Sequence, residues 1–336
     1  MSAALPAPFG SDLKVLVLAG SNPVSARRKR LREKRRARGE QEVQLENKAF
    51  LSLRGRLVVE YVLDCLQACG LRHVWVLGSE DSLRRIPDRY RFTPIPQRPG
   101  ATFFVNLSAA HAEIRPGPDE PVLVMFGDHP LNTPGALTAF LTRCAEHIDS
   151  VDFFHGFALT EAYERYSAWF RRNSVNLREM SGRATGMNLA VPSRLHRLRA
   201  FDELYAVRKQ ERLGSFVELL RRLVGWLGWR SLLASADCLV LWLAKEAEKR
   251  ARGEGGGSLL ARTLLRSLRR LVPASRIEAY AARILQAERG VRLIPLAHGG
   301  SAIDVDFAEE LQMLEDHWQS ISAVAESEEH DGQQHS

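Results

Sequence analysis

Short uninterrupted apolar runs, each closed by a glycine, a proline or a small polar residue, alternate along this chain with stretches whose apolar positions recur every three or four residues. Val122–Phe126 is the sharpest of the runs, with Pro121 before it and Gly127 after it. A run of that length without alternation suits a strand buried on both faces, as in a parallel sheet covered by helices. Val15–Leu18, Val74–Leu77, residues 152–159 and Val291–Pro295 predict further strands, and residues 181–192 a glycine-rich turn with a short strand. Leu57, Val58, Tyr61, Val62, Cys65 and Leu66 fall at helical spacing, and Gly70 stands where glycine ends a helix. Thr133 and Pro134 suit the N-cap and first position of a helix over 135–147. Helices are also expected over 103–113, 160–170 and 308–323, while residues 84–100, rich in Pro and Arg, read as loop. Tyr163, Tyr166 and Trp169 are expected in the core rather than as a ligand stack. Strand, helix and strand within the first eighty residues predict a parallel crossover.

Residues 213–272 break this rhythm. They read as helical and rich in Leu, Trp and Arg, with Trp226, Trp229 and Trp242 beside arginines and a flexible break at 253–257. A helical subdomain over one sheet edge and a peripheral membrane contact through 213–272 both fit this composition. The chain divides, on this reading, into a first core part (1–212), a helical insertion (213–289), a last core strand and helix (290–324) and a disordered tail (325–336).

Composition changes the picture at one place. The chain has 336 residues and a net charge of +7, but residues 27–38 alone hold nine basic residues and one acid. Outside that run stand 38 basic and 39 acidic residues, so the basicity is a local device and nucleic acid is not an expected partner. No run of eighteen apolar residues occurs, which predicts no spanning helix. The first residues lack the basic start and apolar core of a signal peptide, and Cys65, Cys69, Cys144 and Cys238 form no CxxC pair. A cytoplasmic location with reduced, buried thiols is expected.

The candidate chemistry begins at the strand ends. Ligands in open α/β sheets bind beyond the carboxyl ends of the strands. Asp128, in Gly127-Asp128-His129-Pro130, is an acid placed where a metal or polyphosphate would sit, or a turn aspartate bonding its own backbone. Leu18, Ala19, Gly20 and Ser21 run from a strand into a small-residue turn, a common way to bring backbone N–H groups near phosphates.

Four separated pieces then fall in one order: LAG at the end of the first strand, NKAFLSLRGRLVVEYVLDCL, VLVMFGDHPL and IDVDFAEELQML. In order and spacing they resemble the MobA-like NTP transferases, the molybdenum-cofactor guanylyltransferase type of nucleotidyltransferase. The resemblance runs from about residue 13 to about 314 and covers 213–289 loosely. It implies a three-layer α/β/α sandwich with a mostly parallel central sheet, of the nucleotide-diphospho-sugar transferase type, plus the helical insertion. It also implies Mg2+-dependent transfer of a nucleotide from an NTP to a phosphorylated acceptor, with release of pyrophosphate. By the same resemblance Asp128 and Lys48 are the catalytic residues, and Asp128, Asp304 and Asp306 hold the metal. Leu18, Ala19, Gly20, Ser21, Lys48 and Asn188 would bind nucleotide or acceptor, and Gln97–Thr102 lies where related enzymes often read the base. Arg208-Lys209 reads as a surface pair, with a basic fork for an acceptor phosphate as the alternative.

Mg2+ prefers hard oxygen ligands, a few carboxylates plus phosphates and waters, and attack at the α-phosphate builds charge that must be neutralised. Asp304 and Asp306, two apart on an extended segment, are expected to point to the same side; Asp306 can also act on the helix after it by charge alone. The first loop, GSNPVSARRKR, has one glycine and an inserted basic run where the family's is glycine-rich. The last motif lacks the usual Thr-Pro. A glycosyltransferase using Asp304-Val305-Asp306 as a DxD metal motif, and a catalytically weak relative holding polyanions or membranes through residues 27–38, stay open beside the transferase.

Overall fold

The computed structural model describes residues 5–20, 47–98, 100–170, 172–200, 268, 271–306 and 308–334, together with nine separate positions between 233 and 244. Ser21, the basic run 27–38, Arg208-Lys209, the three tryptophans of 213–272, Cys238 and the break at 253–257 lie outside the described residues.

Among the described residues, ten strands form. They are β1 (Lys14–Leu18), β2 (Ser52–Leu53), β3 (Arg56–Leu57), β4 (His73–Gly78), β5 (Thr93–Pro96), β6 (Val122–Phe126), β7 (Phe153–Leu159), β8 (Val175–Asn176), β9 (Ser181–Ala190) and β10 (Val291–Leu296). Eight of them make one sheet in the order β10-β7-β9-β6-β1-β4-β5, with β8 added beside β9; β2 and β3 pair separately as a short hairpin. All pairings along the main order are parallel except those of β9, which runs antiparallel to both β6 and β7.

The two faces of the sheet divide by residue parity, as a pleated strand requires. Val15 and Val17 of β1, with Leu123 and Met125 of β6, pack toward helices α1 (Val58–Ala68) and α4 (Pro134–Ala145). Leu16 and Val122 pack the other way, against Ala110 and Ile114 of α3 (Phe103–Ile114); α2 is the single turn Glu80–Leu83. The result is the three-layer α/β/α sandwich with a mostly parallel sheet. Gly70 stops α1 with φ at 74°, the left-handed conformation that suits glycine. Thr133 caps α4, its hydroxyl accepting the Ala136 N–H at 3.2 Å, with Pro134 in the first turn.

Several elements differ from the sequence reading, each for a physical reason. β5 lies inside the stretch read as loop. Its Pro94 and Pro96 lack N–H groups, and it is accordingly the edge strand, paired only to β4. β9 is ten residues long rather than short, because it lies between two strands that satisfy both of its edges. The helix read over 160–170 is a four-residue turn, α5 (Thr160–Tyr163), followed by a 3-10 turn at Glu164–Tyr166; Tyr163 and Tyr166 are buried as expected. Helix α6 (Ala274–Leu285) falls within the segment read as insertion, yet Ile284 and Leu285 pack with Phe153, Ala190 and Val291 on the sheet. The last helix, α7 (Ala308–Gln334), kinks at His317 and continues through the stretch read as a disordered tail, with Ala325 and Glu328 buried. Polar as that stretch is, its buried residues give it a packed face.

Cys65, Cys69 and Cys144 are free and buried. Among the described residues no helix is long and apolar enough to cross a membrane. Leu123 is fully buried at the middle of the sheet. Leu123→Ala should therefore cost about 3 kcal/mol of unfolding free energy, read from urea denaturation at neutral pH.

Candidate functional site

The site forms at the carboxyl-end rim of the parallel strands, where small residues let three segments come together. A Cβ on Gly127 would lie 3.1 Å from the Ala19 Cβ and 3.2 Å from the Ala49 Cβ. The end of β1, the turn that carries Lys48 and the turn after β6 are therefore in mutual contact. The Gly127 N–H bonds the Leu18 carbonyl and the Ala19 N–H the Leu77 carbonyl, both at 2.9 Å, so the LAG turn continues the sheet hydrogen bonding to its last residue. At Gly20 an added Cβ would meet Gln97 Oε1 at 2.6 Å, which brings the side chain after β5 against the first turn.

Lys48 opens a 3-10 turn, Lys48–Phe50, and its ammonium sits between two of the expected carboxylates. It ion-pairs with Asp306 and lies 3.8 Å from Asp128 Oδ2. Burial disfavours the ammonium, but Asp306 and Asp128 outweigh it, and the Lys48 pKa stands above the usual lysine value. Burial pushes the Asp128 carboxyl up, opposed by His129 and Lys48. The segment bearing Asp304 and Asp306 is tied directly to the Asp128 turn, since the Val305 N–H donates to the Asp128 carbonyl at 3.0 Å.

Asp304 and Asp306 make their ion pairs with different cations, while the charge of Lys48 acts on both. Asp304 pairs with Arg172, whose Nη2 also donates to the Asp304 carbonyl at 2.9 Å and pairs with Glu310. Burial would raise the Asp304 carboxyl, but His129, Arg172 and Lys48 together hold it well below the usual carboxylate range. Glu310 in turn accepts the Asp306 N–H at 2.7 Å, closing the entry to α7.

The donor set suits Mg2+ in part. Asp128 and Asp306 offer hard oxygens around a spot where a cation, the Lys48 ammonium, already sits, and Mg2+ commonly takes one or two carboxylates with the rest from phosphate and water. Among the described residues no three His, Cys, Asp or Glu side chains converge closely enough to hold an ion. Asp304 makes its ion pair with Arg172 and also acts by charge on Asp128.

His129 was not singled out by sequence. It is buried, its Nδ1 lies 3.0 Å from the Ser301 carbonyl, and its Nε2 lies 3.8 Å from Asp128 Oδ1. A carbonyl only accepts, so the ring nitrogen facing it carries the proton. Gly186 makes room for this ring: a Cβ there would stand 2.8 Å from it. Arg172 and Glu310 were also missed. Glu310 carries a legible signal, an acid in the first turn of a helix four residues after Asp306, whereas Arg172 is one arginine in a loop with no spacing to mark it. Asn188 is placed elsewhere, in mid-sheet opposite Val124, with its Oδ1 2.6 Å from His155 Nδ1. Val124 lies two residues before the end of β6, and Asp128 lies in the turn beyond that end.

Removing Arg172 leaves Asp304 and Glu310 without their shared cation. All three side chains keep some solvent, so Arg172→Gln should cost about 2 kcal/mol at neutral pH, less than a fully buried pair would. A carboxylate with a depressed folded-state pKa contributes stability above its ordinary range and loses it as pH falls. The gap between wild type and Arg172→Gln should therefore narrow below about pH 4, measured by urea unfolding across pH.

No curated protein sequence matches the chain. Among solved structures, a hypothetical transferase from Thermus thermophilus is similar with a TM-score of 0.58 and 24% identity, covering 89% of this chain and 99% of its own. A CMP:2-keto-3-deoxy-manno-octonic acid synthetase complexed with CTP aligns at a TM-score of 0.47 and 11% identity, over 92% of this chain and 99% of its own. A 4-diphosphocytidyl-2C-methyl-D-erythritol synthase from Anaerococcus prevotii aligns at 0.43 and 8%, over 92% of this chain and 100% of its own. The profile of the MobA-like NTP transferase domain matches residues 35–223, more than half of the chain, a span that includes Lys48, Asp128 and Arg172 and stops short of Asp304 and Asp306. By that match the chain belongs to the MobA-like NTP transferase family.

Proposed function

We propose that the protein transfers a nucleotide from an NTP to a phosphorylated small-molecule acceptor and releases pyrophosphate, with Mg2+ as cofactor. The observation that carries this reading is the meeting of Asp128, Asp306 and Lys48 at one rim, from positions far apart in the chain. Asp128 and Asp306 would hold the ion, which when bound supplies positive charge against the triphosphate oxygens. Lys48, at the same spot, is the cation that meets the triphosphate and its developing charge. Ala19 and Gly20 bring backbone to the same rim without bulk. Arg172 and Glu310 keep the Asp304–Asp306 segment in place.

In the reaction an acceptor phosphate oxygen bonds to the α-phosphorus while the bond from that phosphorus to the bridging oxygen breaks, and pyrophosphate leaves. A phosphate monoester carries between one and two negative charges at neutral pH, so the nucleophile needs no side chain to remove its proton. That accords with a rim made of carboxylates and cations. The DxD glycosyltransferase alternative asks both Asp304 and Asp306 to face one ion, and Asp304 pairs instead with Arg172. It also leaves Lys48 and the LAG turn without a role.

The test is pyrophosphate release by the full chain with Mg2+, across a panel of NTPs and phosphorylated acceptors. At least one pair should release pyrophosphate in step with product. In that pair Asp128→Ala should lower kcat by about 100-fold or more, and Lys48→Met should raise the KM for the NTP. Equal turnover by wild type and Asp128→Ala would end the assignment.

A further inference from the structure

Helix α7 carries two consecutive acids that reach different segments of the site. Glu328 is 3% exposed; its Oε1 accepts the Gly299 N–H at 3.0 Å, and its Oε2 accepts the Tyr166 hydroxyl at 3.0 Å and the Gly300 N–H at 3.4 Å. Glu329 Oε1 accepts the Gly135 N–H at 2.8 Å. Neighbouring residues on a helix point about 100° apart, so one pair of acids can serve two different turns.

Those two segments flank the acid-bearing turns. Gly299–Ala302 is a 3-10 turn just before Asp304, and Gly135 is the second residue of the helix that follows the Asp128 turn. The two are joined at the rim itself, through His129 to the Ser301 carbonyl and through the Val305 N–H to the Asp128 carbonyl. The close approach is built in. A Cβ on Gly299 would lie 2.4 Å from the Ala162 carbonyl oxygen, and one on Gly300 2.9 Å from the Tyr166 hydroxyl. Burial pushes the Glu328 carboxyl up to about 7, with the two backbone N–H groups and Tyr166 working against it. A carboxyl this costly to bury is compensated by three donors, all of them on the elements that flank the site.

We propose that Glu328 and Glu329 are positioning residues, through which the last helix holds in one arrangement the turn that leads to Asp304–Asp306 and the first turn of the helix that follows Asp128. The latch lies wholly beyond the family-matched residues 35–223 on its acidic side. What the latched cluster binds rests on the nucleotidyltransferase reading; that the latch orders the two turns does not.

The experiment uses the full chain and two measurements made well below its unfolding temperature. They are amide hydrogen exchange over 134–137 and 299–306, and Mn2+ affinity from the free-ion paramagnetic resonance signal. Glu328→Ala should speed exchange over 299–306 and weaken Mn2+ binding by about 10–100-fold, the usual effect of losing a group that orients a ligand. Glu328→Gln, which keeps one carbonyl acceptor, should restore part of both, and Glu329→Gln should speed exchange over 134–137. A merely structural role would lower the unfolding temperature of Glu328→Ala and leave exchange over 299–306 and Mn2+ affinity as in wild type, which would overturn the proposal. If Glu328→Ala does not fold, Glu328→Gln and Tyr166→Phe decide it: both should move exchange over 299–306, and no change in either overturns the latch. Absence of Mn2+ binding by wild type would count against the nucleotidyltransferase reading, and the exchange measurements alone would then decide the latch.

Discussion

One ammonium between two carboxylates organises the rim. Asp128 comes from the centre of the sheet and Asp306 from the far end of the chain, and Lys48 lies between them. Four acids, Asp128, Asp304, Asp306 and Glu310, stand close together here, and such a cluster would repel itself if left bare. The cations are placed to prevent this. Lys48 serves one pair and Arg172 the other, with His129 buried behind both. Four carboxylates against one ammonium and one guanidinium leave the rim acidic, with Lys48 shared by Asp128 and Asp306 and Arg172 by Asp304 and Glu310.

Strand order sets the distance this arrangement has to bridge. β10 lies three positions from β6, so residues 297–306 cross about 14 Å of sheet edge before reaching Asp128. The crossing is held by backbone: Val305 to the Asp128 carbonyl, Ser301 to His129, and Gly299 and Gly300 to Glu328. Glycine at 186 leaves the space that His129 fills beneath it. The antiparallel β9, inserted between β6 and β7, thus supports the site as well as completing the sheet.

Much of this was legible from residues read in order. Continuous apolar runs marked β1, β4 and β6, because strands covered on both faces have no polar side to show; β7 and β10 were marked by mainly apolar runs that carry His155 and Arg292. Capping at Thr133 and the glycine at 70 marked helix ends for reasons that are local. Lys48, Asp128, Asp304 and Asp306 stood out through the motifs around them. Arg172 and His129 did not, since a lone loop arginine and a turn histidine look like many others until a fold brings an acid to them. The polar tail of α7 misled for the matching reason: its buried positions are few and acquire partners only from Tyr166, Gly135 and the 299–300 turn.

Sequence alone was enough for the α/β class and most of its strands, because short-range periodicity and turn chemistry depend on neighbours within a few residues; the aspartates were picked out by the resemblance of their motifs. Tertiary structure alone decided which acid pairs with which cation. Asp304 makes its ion pair with Arg172 and Asp306 with Lys48, while both act by charge on Asp128. That choice depends on contacts more than a hundred residues apart, and on the low-dielectric rim in which each charge takes the partner that packing brings within reach.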